Sequence, residues 1–132
     1  MLAMKDLLIN SDSGENFSPD VNFSLSGRCE ISGESYMEDS LDFYKPLLDW
    51  LEKYFKEIGK PIDFHIKLTY FNTATSKWLH KMFKMLKNFE KNDGVVNIIW
   101  YHIEWDKDMV MEIDDFSKGT ELSIRKAALH PD

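Results

Sequence analysis

The sequence predicts an α/β fold whose sheet is at least partly parallel, and three observations carry that prediction. Apolar residues recur every three to four positions over 39–58 and again over 73–91, the mark of two amphipathic helices. Between them Ile62, Phe64, Ile66, Leu68 and Tyr70 alternate strictly with Asp63, His65, Lys67 and Thr69, as in a strand with one buried face. An apolar, β-branched and aromatic run follows at 95–101, so strands and helices alternate and right-handed βαβ crossovers join them.

Each element has its own signals. Leu7-Leu8-Ile9 reads as a short strand, and the polar stretch 11–20, with Gly14 and Pro19, as the loop after it. Val21, Phe23 and Leu25, then Cys29 and Ile31, alternate with polar residues around Gly27, which is a hairpin pattern. The first helix begins near Asp39 and Ser40, both good N-caps, carries Tyr44, Leu47, Leu48, Leu51, Tyr54, Phe55 and Ile58 on one side, and stops at Gly59-Lys60-Pro61. Pro46 is expected to kink its first turn or lie close to its true start. The second helix, from about Thr73 to Lys91, packs Leu79, Met82, Phe83, Leu86 and Phe89 and ends at Asn92-Asp93-Gly94, with Gly94 as the C′ residue. The run 95–101 is expected to be a central strand buried on both faces. An acidic helix over about 107–117 and a strand through Leu122 and Ile124 complete the order.

With 132 residues the chain is expected to form one domain over 1–132, and 43% hydrophobic residues are enough for a core. The formal charge of −7 is the wrong sign for holding a phosphate backbone, which argues against nucleic-acid binding. A single cysteine, Cys29, leaves no intramolecular disulfide and no CxxC site, and in a short alternating strand it reads as a buried structural thiol. No stretch approaches the ~18 uncharged apolar residues of a membrane span, and an acid at position 6 interrupts any leader, so a soluble cytoplasmic protein without membrane contact is expected.

No HExxH, nucleophile elbow, Gly-x-Gly-x-x-Gly or Walker sequence occurs. His102, Glu104, Asp106 and Asp108 repeat with a period of two, which would align four potential cation ligands on one face of an extended strand. A small metal- or ligand-binding enzyme using His102, Glu104 and Asp106 is the alternative this pattern offers. Against it, Val110 stands where a third oxygen ligand would fall, and a strand running into an acidic helix start explains the same residues. His65, on the polar side of its strand, reads as a hydrogen-bonding surface histidine. No catalytic residue, cofactor or metal ligand is assigned.

Charge is segregated along the chain. Lys77, Lys81, Lys84, Lys87 and Lys91 form a stripe opposite the apolar face of the second helix, with only Glu90 against them. Residues 104–115 hold six acids and one lysine. Either segment is a solvated helix face or a docking surface for a charged partner. Between strand and helix, Asn72, Thr73 and Thr75 are all competent N-caps. The same place gathers free N–H groups and the positive end of the helix dipole, so a phosphorylated Thr73 would be favoured there, with Lys77 one turn away.

Two stretches, Gly33-Glu34-Ser35-Tyr36-Met37-Glu38-Asp39-Ser40 leading into Phe43-Tyr44 and Trp50-Leu51, and later Tyr70-Phe71-Asn72-Thr73, resemble the SiaC family of bacterial regulatory phosphoproteins. The similarity continues through Ser76-Lys77 and Ile98-Ile99-Trp100-Tyr101 and spans roughly residues 20–125. It implies a STAS-like, anti-sigma-factor-antagonist-like fold, a small mixed sheet with helices mainly on one face. It implies further a non-enzymatic regulator phosphorylated on a threonine by a dedicated serine/threonine kinase and restored by a PP2C-like phosphatase. In the family the unphosphorylated form binds and activates a diguanylate cyclase, which links it to cyclic di-GMP signalling and biofilm formation. Carried over, the acceptor is Thr73, with Asn72, Lys77, Lys81 and Lys84 beside it in partner binding and Tyr36, Glu38 and Ser40 in the second motif. Two departures stand out. Met37-Glu38-Asp39 replaces the usual Pro-Glu-Asn, and Ala74-Thr75 replaces two serines, which leaves Thr75 and Ser76 as rival acceptors.

Overall fold

The computed structural model describes residues 4–10, 18–37 and 40–129. Its elements are β1 (Leu7–Ile9), β2 (Asp20–Phe23), β3 (Arg28–Ser35), α1 (Ser40–Glu57), β4 (Ile62–Phe71), α2 (Thr73–Lys91), β5 (Val96–Ile103), α3 (Lys107–Thr120) and β6 (Ile124–Leu129). The strands form one six-stranded sheet in the order β1-β2-β3-β4-β5-β6. β1, β2 and β3 pair antiparallel, and β3 through β6 pair parallel, so the sheet is mixed, as expected. Each of the three parallel crossovers advances one strand in the same direction. Right-handedness then puts α1, α2 and α3 on the same face.

That face holds the core. Ile62, Phe64, Ile66 and Leu68 of β4 and Ile98 and Trp100 of β5 are buried against Tyr44, Leu47, Leu51 and Tyr54 of α1, Leu79, Met82, Phe83 and Leu86 of α2, and Ile113 and Phe116 of α3. Burying each such side chain contributes about 1.5–3 kcal/mol, against about 0–1 kcal/mol for an exposed ion pair such as Lys45–Asp49. Packing rather than surface charge therefore holds the helices on the sheet. Cys29 is fully enclosed in this core, and burial pushes its thiol up to about 12, so it is inert at neutral pH, as the sequence predicts.

The one-sided cover corrects the expectation for β5. Ile98 and Trp100 are buried, but Ile99 and Tyr101 on the opposite face are only half-buried, because no element lies over that side among the described residues. A second correction concerns the end of α2. Asp93, not Gly94, takes the left-handed conformation, at φ +70°. Gly94 is needed for space: its N–H donates to the Phe89 carbonyl at 2.9 Å, and a Cβ there would stand 2.6 Å from the Phe89 ring. Pro46 sits in the second turn of α1, which continues unbroken past it. Asp39, a candidate cap, lies outside the described residues, and Ser40 is the first residue of α1. α3 runs to Thr120 and ends where Glu121 turns left-handed at φ +61°, so β6 starts only at Ile124.

β4 departs from its sequence pattern at one point, near its carboxyl end. Gly33 pairs with Leu68, but Glu34 pairs with Tyr70, so Thr69 is an extra residue on β4. The bulge reverses the alternation for the last two residues. Tyr70, expected on the buried face, is 52% exposed, and Phe71 turns inward to meet Trp100 and Phe116 at 5.8 and 6.1 Å between ring centroids.

His65 is on the helix-free face, as read from the sequence, yet it is buried. Arg28 Nη1 donates to its Nε2 at 2.7 Å, and Tyr101 Oη lies 3.0 Å from Nδ1. Arginine has no acceptor, so Nε2 accepts, the ring is neutral, and the Nδ1 proton points to Tyr101. Burial, then the charge of Arg28, hold its pKa below the ordinary imidazole value; Lys67 acts in the same sense, and Asp63 and Glu30 oppose.

Two outcomes are expected. Gly27 has φ +99°, and a side chain there would collide with the Pro61 carbonyl, so Gly27→Ala should cost about 2–3 kcal/mol in urea unfolding. A histidine with a depressed folded pKa contributes stability that is complete above its unfolded pKa near 6.5 and lost as pH falls toward the folded value. Wild type should therefore lose more stability than His65→Gln between pH 7.5 and pH 5; parallel losses would contradict the neutral ring.

Candidate functional site

Of the sequence-predicted residues, Tyr36, Ser40, Asn72, Thr73, Thr75 and Ser76 lie where β3 and β4 end and α1 and α2 begin. Asn72 leaves β4 extended, at φ −93° and ψ 178°, and caps α2: its Oδ1 accepts from the Thr75 N–H at 2.9 Å and its carbonyl from the Ser76 N–H at 3.0 Å. Its own N–H donates to the Ser35 carbonyl at 3.1 Å, which ties the cap to the end of β3. Asn72 is thus a capping group first.

The three candidate hydroxyls of the first turn differ sharply. Thr73, the first helical residue, is exposed, while Thr75 is fully buried. Ser76 is half-buried and borders a groove between α2 and α3 with His80, Glu112, Asp115, Phe116 and Gly119. The Thr75 hydroxyl donates to the Ser35 carbonyl at 2.8 Å and lies 2.7 Å from Ser35 Oγ, which in turn lies 2.7 Å from Tyr44 Oη on α1. Burial pushes the Tyr44 phenol up to about 12, so it stays protonated. Of the hydroxyls in this turn, Thr73 is the one open to an enzyme.

The second motif lies against the first. Tyr36 and Tyr70 pack edge to face at 5.2 Å, and Tyr70 is exposed because of the Thr69 bulge. Ser40 is buried, and its Oγ accepts from Trp78 Nε1 at 3.0 Å, so its side chain joins α1 to α2 rather than standing on the surface. Trp78 stacks nearly parallel on Tyr44, 6.3 Å away, and Lys81 Nζ lies 4.6 Å from the Trp78 ring centroid. Glu38 lies outside the described residues.

The lysine stripe divides. Lys87 is held by Glu90 at 3.1 Å and by the Glu121 carbonyl, and so fastens α2 to the end of α3. Lys77, Lys81, Lys84 and Lys91 are exposed and make no ion pair with a described residue. Positive charge therefore flanks Thr73 and runs away from it along α2.

The acidic candidate does not assemble. β5 stops at Ile103 and the chain turns, so the period of two that aligned His102, Glu104, Asp106 and Asp108 is lost. Asp106 caps α3, accepting from Met109 N at 3.0 Å, and His102 Nδ1 lies 2.9 Å from the Ile103 carbonyl. Among the described residues no three histidine, cysteine or carboxylate side chains come together as a metal site.

Sequence reasoning missed the Ser35–Tyr44–Thr75 cluster and the Trp78–Ser40 bond. Their partners are 9, 40 and 38 residues apart, and no local pattern signals them.

Known proteins show the same architecture. The family model for SiaC family regulatory phosphoproteins matches residues 13–128. Apo-SiaC from Pseudomonas aeruginosa superposes with a TM-score of 0.82 at 23% identity, covering 95% of this chain and all of the other. A chain in the crystal structure of the diguanylate cyclase SiaD in complex with its activator SiaC, from the same organism, gives 0.85 at 21% identity over 94% of this chain and all of that one. An uncharacterized protein of P. aeruginosa strain UCBPP-PA14 is 25% identical over 77 residues, 58% of this chain; the match spans 61% of that relative's length.

The cap makes a direct test. Asn72→Ala should cost about 1 kcal/mol, and Asn72→Asp should retain most of the stability, both read from denaturant midpoints. Equal losses in the two variants would mean that the side-chain oxygen does not hold the turn.

Proposed function

Because the chain belongs to the SiaC family of regulatory phosphoproteins, we propose that it is a non-enzymatic, single-domain switch whose binding surface is controlled by reversible phosphorylation of Thr73. The observation that carries this reading is the contrast at the start of α2: an exposed Thr73 hydroxyl two residues from a fully buried Thr75. Thr75 is the weaker acceptor because phosphate there would displace a buried hydroxyl bonded to Ser35. Ser76 is half-covered.

A phosphate on Thr73 adds about −1.5 to −2 charges at the positive end of the α2 dipole, one turn from Lys77, where folding tolerates it. For a partner the effect is opposite. The surface around Thr73 combines the Tyr36–Tyr70 pair with Asn72, Lys77, Lys81 and Lys84. A hydrated dianion in the middle of an aromatic and basic contact patch must be desolvated on binding and inverts the local charge. Glu38 is part of the same proposed surface, through the motif it belongs to.

The partner is assigned by kinship. The related SiaC of P. aeruginosa is the activator of the diguanylate cyclase SiaD, so the output proposed for this chain is activation of a diguanylate cyclase by the unphosphorylated form. Acting in the cytoplasm, the protein thereby influences the cyclic di-GMP level and, downstream of it, biofilm formation. A cognate serine/threonine kinase and a PP2C-like phosphatase set the phosphorylation state. No helix among the described residues is long and apolar enough to cross a membrane.

Incubation with the kinase and ATP, followed by peptide mass spectrometry, should place a single phosphate on Thr73. In pull-downs with the cyclase, Thr73→Ala should bind like wild type and Thr73→Asp at least tenfold more weakly. Modification confined to Thr75 or Ser76, or equal binding by all three proteins, would refute the switch.

A further inference from the structure

We infer that the buried hydroxyls of Tyr44, Ser35 and Thr75 form a directed hydrogen-bond latch that positions the phosphoacceptor turn and confines modification to Thr73. The inference rests on the reading of Thr73 as acceptor and adds what controls that site.

The direction of the latch follows from counting protons. Each hydroxyl has one. The Thr75 proton goes to the Ser35 carbonyl at 2.8 Å, so the 2.7 Å contact between Ser35 Oγ and Thr75 Oγ1 needs the Ser35 proton. Ser35 Oγ then accepts, and the Tyr44 phenol is the donor across the remaining 2.7 Å. The chain runs from Tyr44 on α1, through Ser35 at the end of β3, to Thr75 on α2, and closes on the Ser35 carbonyl. That carbonyl also accepts from Asn72 N–H, so it binds the residue on each side of Ala74 and Thr73 to β3. Ser35 and Thr75 are fully buried, as is Tyr44, so no water replaces a broken bond without opening the packing.

Removal of different members therefore has unequal consequences. Thr75→Val keeps the shape but leaves the Ser35 proton without its acceptor in a dry site, and takes from the Ser35 carbonyl one of its two donors, so that Asn72 N–H alone ties the turn to β3. Tyr44→Phe removes a terminal donor only, keeps the ring stacked on Trp78, and leaves the bonds of Thr75 in place. Thr75→Ser retains the whole chain. The three variants grade the latch without changing Thr73, Asn72 or the lysines.

Two readouts are taken on the same full-length proteins. By amide hydrogen exchange, Thr75 and Ser76, whose N–H groups are held by Asn72, should exchange about tenfold faster or more in Thr75→Val, less so in Tyr44→Phe, and as in wild type in Thr75→Ser; Leu79–Leu86 should be unchanged in all. In kinase assays Thr75→Val should raise KM several-fold more than it lowers kcat and spread phosphate to Ser76. Thr75→Ser should restore the KM with phosphate on residue 73 alone, although position 75 still carries a hydroxyl. Acceleration of exchange throughout α2, or local opening with KM and site unchanged, would overturn the latch. Phosphorylation absent from Thr73 in wild type itself, with exchange graded as stated, would instead refute the switch reading and, with it, the latch's role in modification.

Discussion

One extra residue in β4 sets the geometry on which the functional end of the molecule depends. Thr69 has no partner in the β3–β4 ladder, and the pleat downstream of it is inverted. Without that inversion Phe71 would face solvent and Tyr70 would enter the core. With it, Phe71 closes the aromatic cluster with Trp100 and Phe116, Tyr70 joins Tyr36 on the surface, and Phe71 comes to lie opposite Ser35, which faces inward in the phase of Cys29 and Ile31 and meets the first turn of α2. β4 thus ends beside Ser35, whose carbonyl holds the Asn72 cap, and the periodicity of α2 then separates exposed Thr73 from buried Thr75.

A bulge is tolerated there because the surroundings supply what the ladder loses. The Thr69 hydroxyl donates to the Gly33 carbonyl across the gap, and the Ser35 carbonyl receives both Asn72 N–H and the Thr75 hydroxyl. Both bonds to Ser35 lie at the carboxyl ends of parallel strands, where helix starts collect free N–H groups. The arrangement divides labour within a few residues. Buried hydroxyls hold the turn, and an exposed one remains available for chemistry.

Electrostatics follows the same division. Helices on one face leave β3, β4 and β5 with a second, polar face, where Arg28, Glu30, His65, Lys67 and Tyr101 form a connected network: Lys67 pairs with Glu30 at 2.6 Å and lies 5.2 Å from the Tyr101 ring centroid. Each charged group of that network has an ion-pair partner within it. The lysines of α2, apart from Lys87, have no such partner among the described residues, and they start beside Thr73. A net charge of −7 thus describes the molecule poorly, since one face of α2 carries Lys77, Lys81, Lys84 and Lys91 without an ion pair to a described residue.

The sequence alone determined the order of the elements and the bounds of α1, β4 and α2 to within a residue, because periodicity of 3.6 or 2 and the stops at Gly59 and Gly94 are local properties of the chain. It also singled out Asn72-Thr73 as a helix start with a phosphorylatable hydroxyl, since capping depends on neighbours within one turn. It did not determine which hydroxyl is exposed, that Ser40 and Thr75 are buried fasteners, that His65 is enclosed, or that the spacing of His102, Glu104 and Asp106 is broken by a turn. Those outcomes depend on contacts between residues far apart in the chain: Ser35 with Thr75, Ser40 with Trp78, Arg28 with His65. Only the tertiary structure decides them, because each turns on which distant side chains packing brings together, and a bulge or a turn changes the face that a local pattern assigns.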